Sequence, residues 1–171
     1  MELKQSLIEK KRSILERWFH LILETYPRET TKLIKKERDR FVNPVGVTLS
    51  EGMEALYEGL LKETEAEQLT GPLEKIIQIR SVQDFSPSQA VVVVSLLKKA
   101  VQEEMKESKV EMNGMIGEWF ELESRIDQLT LLALDIYTKY RERVYEIRIN
   151  EIKKERDKAL KLLERTNPKA K

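Results

Sequence analysis

The sequence has no cysteine among its 171 residues, which excludes disulfides, iron–sulfur clusters, thiolate zinc sites and nucleophilic thiol chemistry. A reducing compartment fits this composition. Histidine occurs once, as His20 in "RWFHLIL". A metal would need two or three further nitrogen or oxygen ligands at compatible spacing, and a haem would need a pocket-facing histidine that the first helix does not offer. His20 is therefore read as a structural or surface residue, with no metal or cofactor expected. The six glycines are scattered and "GxxxxGK" is missing, so there is no phosphate-binding loop. The N-terminal "MELKQSLIEKKRSILERW" has charges spaced through its apolar residues, unlike a signal peptide or a membrane span. A cytoplasmic protein without membrane insertion is expected.

What is present is charge. Asp, Glu, Lys and Arg make up 36% of the chain against only 5 prolines, the composition of a helical protein with a solvated charged surface. The length suits one domain or a domain plus an extension. A formal net charge of +1 hides an asymmetry: residues 138–171 sum to +6 and the remainder to −5. The chain is accordingly divided into an all-helical domain, 1–150, and a charged helical extension, 151–171. Arg141, Arg143, Arg148, Lys153, Lys154 and Arg156 are interleaved with Glu142, Glu146, Glu151 and Glu155. That mixture dilutes the field phosphates require, so a solvated or protein-docking face is expected and no nucleic-acid binding.

Apolar periodicity predicts the elements. Leu3, Leu7, Ile14, Leu15, Trp18 and Ile22 describe a first helix of about 20 residues, closed by Pro27. A weaker helical stretch covers Thr31 to Arg40. "NPVG" then reads as a break in which Gly46 permits positive φ, followed by Thr48 as a helix cap with Glu51 as its capping-box partner. Gly71-Pro72 opens a helix carrying Leu73, Ile76, Ile77 and Arg80. In "SPSQ", Ser86 is a hydroxyl N-cap, Pro87 occupies the first helical position and Gln89 completes a capping box, so "SVQDFSPSQ" is a helix stop and restart. "AVVVV" is read as buried helix rather than strand, because Val94, Leu97, Val101 and Met105 continue at helical spacing. From Glu118 one long helix runs on a seam from Leu122 to Ile147, which then shifts to Ile149, Ile152, Arg156, Ala159 and Leu163 and leaves the core. Lys153/Asp157 and Glu155/Lys158 pairs are expected along it.

No nucleophile–base pair can be assembled from these residues, and acidic pairs such as Glu103/Glu104 lie among lysines, so no enzymatic activity is expected. Two charges interrupt apolar stretches, Arg80 and Asp135. One reading has Arg80 meet Asp135 or Asp127 across the interior, as a buried ion pair or a small polar pocket that Asp84 also lines. The other has Arg80 reach the edge and Asp135 face solvent. Tyr137, Tyr140, Arg141, Tyr145 and Arg148 are candidates for a protein interface, since Tyr and Arg are favoured at binding hot spots, or equally for packing.

"FVNPVG", "IIQIRSVQDFSPSQA", "ESRIDQLTLLALDIY" and "YRERVYEIRINE" occur in that order. On these motifs the chain resembles the N-terminal domain family of the RsbT co-antagonist RsbRD, over about Ser6 to Ile152. The resemblance implies an all-α regulatory or sensory domain, akin to the non-haem globin-like modules of stressosome proteins, which dimerise and pass a signal down a C-terminal helix to a STAS domain. No STAS domain follows in this sequence, so a stand-alone relative of the sensor part is expected. It would be a homodimer or the docking site of a protein partner, or alternatively a small-ligand sensor with an internal polar pocket.

Overall fold

Pro27, Pro44, Pro72 and Pro87 each stand at or beside the first turn of a helix. The computed structural model describes residues 3–36, 43–83, 85–110 and 114–166, without the side chains of residues 33, 35 and 36. Among them the helices are α1 (Leu3–Glu9), α2 (Lys11–Glu24), α3 (Arg28–Lys36), α4 (Pro44–Leu61), α5 (Thr70–Ser81), α6 (Pro87–Glu107) and α7 (Ile116–Thr166). A 3-10 turn, Ala66–Leu69, leads into α5. No strand occurs among the described residues, and the fold is an all-α bundle.

The single first helix expected from periodicity is two, joined at Lys10, whose φ of −100° and ψ of 10° depart from the helix. Hydrogen bonds from Lys10 N–H to Ser6 O and from Ile14 N–H to Lys10 O, both 3.0 Å, carry the ladder past the joint. The bend lets α1 reach α4 and α7 while α2 packs along α6. The weaker stretch expected at 31–40 is α3, and residues 37–40 lie outside the described part.

The reading of "NPVG" needs correction. Asn43 is itself the N-cap of α4, its Oδ1 accepting from Gly46 N–H at 2.9 Å, and Pro44 stands at the first helical position. Thr48 therefore lies inside the helix. Asn followed by Pro is a cap signature in its own right, and it precedes Thr48 along the chain. Gly46 has no positive φ; a Cβ there would run into the Asn43 side chain. Gly52, one and a half turns on, brings α4 close to α5, since a Cβ would lie 2.8 Å from Ile76 Cγ1.

The Ser86–Gln89 capping box is complete, with both reciprocal hydrogen bonds formed, and "AVVVV" is helical. Ala90, Val93, Val94, Leu97, Val101 and Met105 are buried, because α6 packs between α2 and α7 and needs apolar residues on more than one side. Buried polar groups here find partners: Trp18 Nε1 donates to Val93 O at 2.7 Å, and the Tyr57 hydroxyl to Leu7 O at 2.9 Å. Burial pushes the Tyr57 phenol up, leaving it a neutral donor.

α7 is one continuous helix of 51 residues, about 76 Å at 1.5 Å per residue. Its buried residues are Ile126, Leu129, Ala133, Ile136 and Tyr137, and burial falls away through Tyr140 and Val144. The core seam expected to reach Ile147 stops a turn earlier, with Ile147 59% exposed. Every residue from Tyr145 to Thr166 is exposed. The boundary drawn at 150/151 falls within this helix. Asp157 is held by Arg156 at 2.7 Å rather than by Lys153.

Candidate functional site

The short linker that "SVQDFSPSQ" makes between α5 and α6 is where charge, aromatic rings and the long helix meet. Arg80, in the last turn of α5, is fully buried at 0% exposure. Its Nη2 donates to Gln89 O at 2.8 Å. The guanidinium carbon lies 3.8 Å from the centroid of the Phe85 ring and 4.9 Å from that of Tyr26. The two rings meet edge to face, 5.4 Å apart. Such contacts partly replace lost hydration for a planar cation, but burial still pulls the guanidinium below its ordinary pKa. No carboxylate pairs with Arg80 among the described residues.

From the other side α7 grips the same linker. The Tyr137 hydroxyl donates to Phe85 O at 2.7 Å, and Arg141 Nη1 donates to Ser81 O at 3.2 Å. Arg141 also donates to the Tyr145 hydroxyl at 3.0 Å and lies over its ring at 5.0 Å. Both ends of the linker are thus tied to α7 within a turn or two of the point where that helix leaves the core.

The sequence-expected residues divide on these facts. Arg80 does not reach Asp127 or Asp135. Asp127 is exposed and pairs with Lys98 at 2.7 Å, and Asp135 is exposed. The reason is helical phase: Ile126, Leu129, Ala133 and Ile136 face inward, which turns 127 and 135 outward. The alternative that Arg80 reaches the edge also fails, since it is wholly enclosed. Asp84 lies outside the described residues. Of the interface candidates, Tyr137 is spent in the core at 4% exposure and Tyr140 packs against it, with Arg143 over its ring at 5.7 Å. Arg141 is half-buried on the linker, so Tyr145 and Arg148 are the two that stand exposed.

Two features escaped sequence reasoning. Glu104, read from the sequence only as an acid among lysines, is buried and accepts from Ser13 Oγ at 2.5 Å, Ser108 Oγ at 3.0 Å and Arg17 Nη2 at 3.4 Å. Those hydrogen bonds, Ser13's foremost, hold its carboxyl below the usual range against the opposing effect of burial. The second is an open groove of about 680 Å³ between α1, the end of α4 and the start of α7, lined by Leu3, Leu7, Leu60, Glu118 and Arg125 among others; it does not reach Arg80. His20 is exposed on α2, and no cluster of three metal-ligating side chains occurs among the described residues.

A family model described as the RsbT co-antagonist protein RsbRD N-terminal domain matches residues 12–152. The chain belongs to this family. The matched span takes in α2 to α6 and the core part of α7, and it ends two turns into the exposed part of that helix. Membership makes the chain a stress-signalling regulatory, sensor-like domain. No curated protein and no solved structure matches it. In this RsbRD N-terminal domain no helix among the described residues is long and apolar enough to cross a membrane.

Proposed function

We propose that the protein is a non-enzymatic, stressosome-like protein-interaction module that works in the cytoplasm as a homodimer, with α7 as both its dimer contact and its output. The observation that carries this reading is a second apolar stripe on α7. Phe120, Leu131, Leu134, Tyr145, Ile149, Ile152 and Leu163 are all exposed, at steps of three, four or eleven residues. At 100° per residue these seven fall within an arc of about 60°, nearly opposite the core-facing residues. A helix apolar on two faces wants two partners, and its own bundle supplies one. The stripe begins over the body and continues along the projecting turns, so one surface joins the domain to the lever. A second copy presents the same stripe, which is what an isologous two-fold contact requires. Family membership supports regulation through protein contacts, and the lack of cysteine accords with a reducing compartment.

The test is light scattering of the full chain beside a Leu131→Glu, Ile152→Glu variant. The wild type should have twice the 20.1 kDa chain mass, and the variant, altered only on exposed positions, should be a folded monomer. A wild-type monomer at tens of micromolar would remove the homodimer and leave the stripe for a foreign protein.

The alternative reading, a small-ligand sensor, is supported by the buried Arg80 and its unpaired neighbours. It concerns the input of the same module rather than a different one.

A further inference from the structure

A guanidinium removed from water forfeits hydration worth several kcal/mol, regained only through a counter-charge and a full set of hydrogen bonds. The other interior-facing arginines come closer to this condition, although Arg17 Nε is also buried without a partner and Arg125 has carbonyls in place of a counter-charge. Arg17 reaches Glu103, Glu104 and Glu107, and Arg125 donates to the carbonyls of Leu60 and Thr64. Arg80 has one well-formed acceptor, Gln89 O, and the Tyr26 hydroxyl oxygen is close enough to favour its charge without completing a hydrogen bond of good geometry. Arg80 Nε and Nη1 are buried without a partner, as are the Tyr26 hydroxyl and Gln83 Oε1. Arg80 stands between two helix ends, the last turn of its own α5, whose negative end favours its charge, and the first turn of α6, whose positive end opposes it, so the dipoles offer little net compensation. The corner therefore holds a desolvated guanidinium without a counter-charge, with donors of Arg80 and Tyr26 left over and Gln83 Oε1 as a spare acceptor.

We infer that this corner binds a compact monovalent anion, a small carboxylate or an inorganic oxyanion of similar size, through Arg80 Nε and Nη1 with the Tyr26 hydroxyl as a further donor. Phe85 covers the guanidinium and Tyr26 closes a second side, so the spare donors are presented in the guanidinium plane, which suits a small planar anion. Occupancy acts on the linker that α7 holds through Tyr137 and Arg141. A bound anion that favours one linker position thereby favours one setting of α7 where it leaves the core. As an input the site rests on the regulatory reading above; as a binding site it does not.

The test is a titration of the ¹⁵N-labelled full chain with sodium formate, acetate and nitrate, ionic strength being held with sodium sulfate, while the Arg80 Nε–H resonance is followed. A saturable shift is expected. Response to formate and acetate alone identifies an organic acid, and response to nitrate as well an inorganic oxyanion. Tyr26→Phe keeps the ring and should weaken binding about 3–10-fold, one hydrogen bond's worth, and Arg80→Met should abolish it. Should Arg80→Met not fold, Tyr26→Phe alone decides. No saturable shift with any of the three would show that the donors meet only water, and a shift confined to an Asp84→Asn variant would show that the chain's own carboxylate fills the corner. Either result overturns the inference. Light scattering of the same samples reports the dimer independently, so failure of the site and failure of the regulatory reading are told apart.

Discussion

Arg80 and Glu104 are both buried ionisable groups, and the fold treats them oppositely. Glu104 is surrounded by donors, two serine hydroxyls and Arg17, whereas Arg80 has one carbonyl and two rings. Removing the first should hurt and removing the second should not. For Glu104, the folded carboxyl titrates below its ordinary 4.5. Its stabilisation is thus present above that value and is lost as pH falls through the lower, folded one. Glu104→Gln should cost about 1–2 kcal/mol at pH 7, and the deficit should shrink as pH falls below 4.5, read by urea unfolding at both ends. Arg80→Met exchanges an uncompensated buried charge for an apolar chain of similar length. It should leave stability equal or raise it by about 1–2 kcal/mol in the same assay. A loss above about 2 kcal/mol would make the guanidinium a folding element rather than a binding one.

Among the helices, local chemistry was legible wherever the deciding residues are neighbours in sequence. The Ser86–Gln89 box is the clearest instance. Replacing both Ser86 and Gln89 by Ala should cost about 1–2 kcal/mol, measured by thermal or urea unfolding, with the α5–α6 linker showing the largest rise in hydrogen exchange. Asn43 was equally local, but the proline after it was read as a stop when it was the start of α4. The buried arginine could be singled out because it interrupts the apolar positions of α5. Its surroundings could not, because Tyr26 and Gln89 reach it from other elements. The outward setting of Asp127 and Asp135 was in fact implicit in the seam already drawn through Ile126, Leu129, Ala133 and Ile136. Tyr137, for which interface and packing stood as equal alternatives, is buried at 4% exposure. Tyr137→Phe removes only its 2.7 Å bond to Phe85 O. It should cost about 1 kcal/mol and loosen the linker in exchange experiments without altering the bundle.

At the scale of the whole molecule, α7 poses an energetic problem that the single chain does not solve. Isolated helical turns are marginal in water and take most of their stability from tertiary packing, yet from Tyr145 to Thr166 no side chain is buried. Few local pairs help: Arg156 and Asp157 are adjacent in sequence rather than a turn apart, so they do not brace successive turns. The segment nonetheless carries Tyr145, Ile149, Ile152 and Leu163 on the stripe that begins over the body. Covering that stripe with a second copy would stabilise the projection and the dimer together, so the two should be lost together. On dilution through the dimer midpoint, amides of residues 148–166 should lose hydrogen-exchange protection while those of α6, sealed between α2 and α7, keep theirs. If the distal amides stayed protected in the monomer, the helix would be standing unaided and the stripe would not be what holds it.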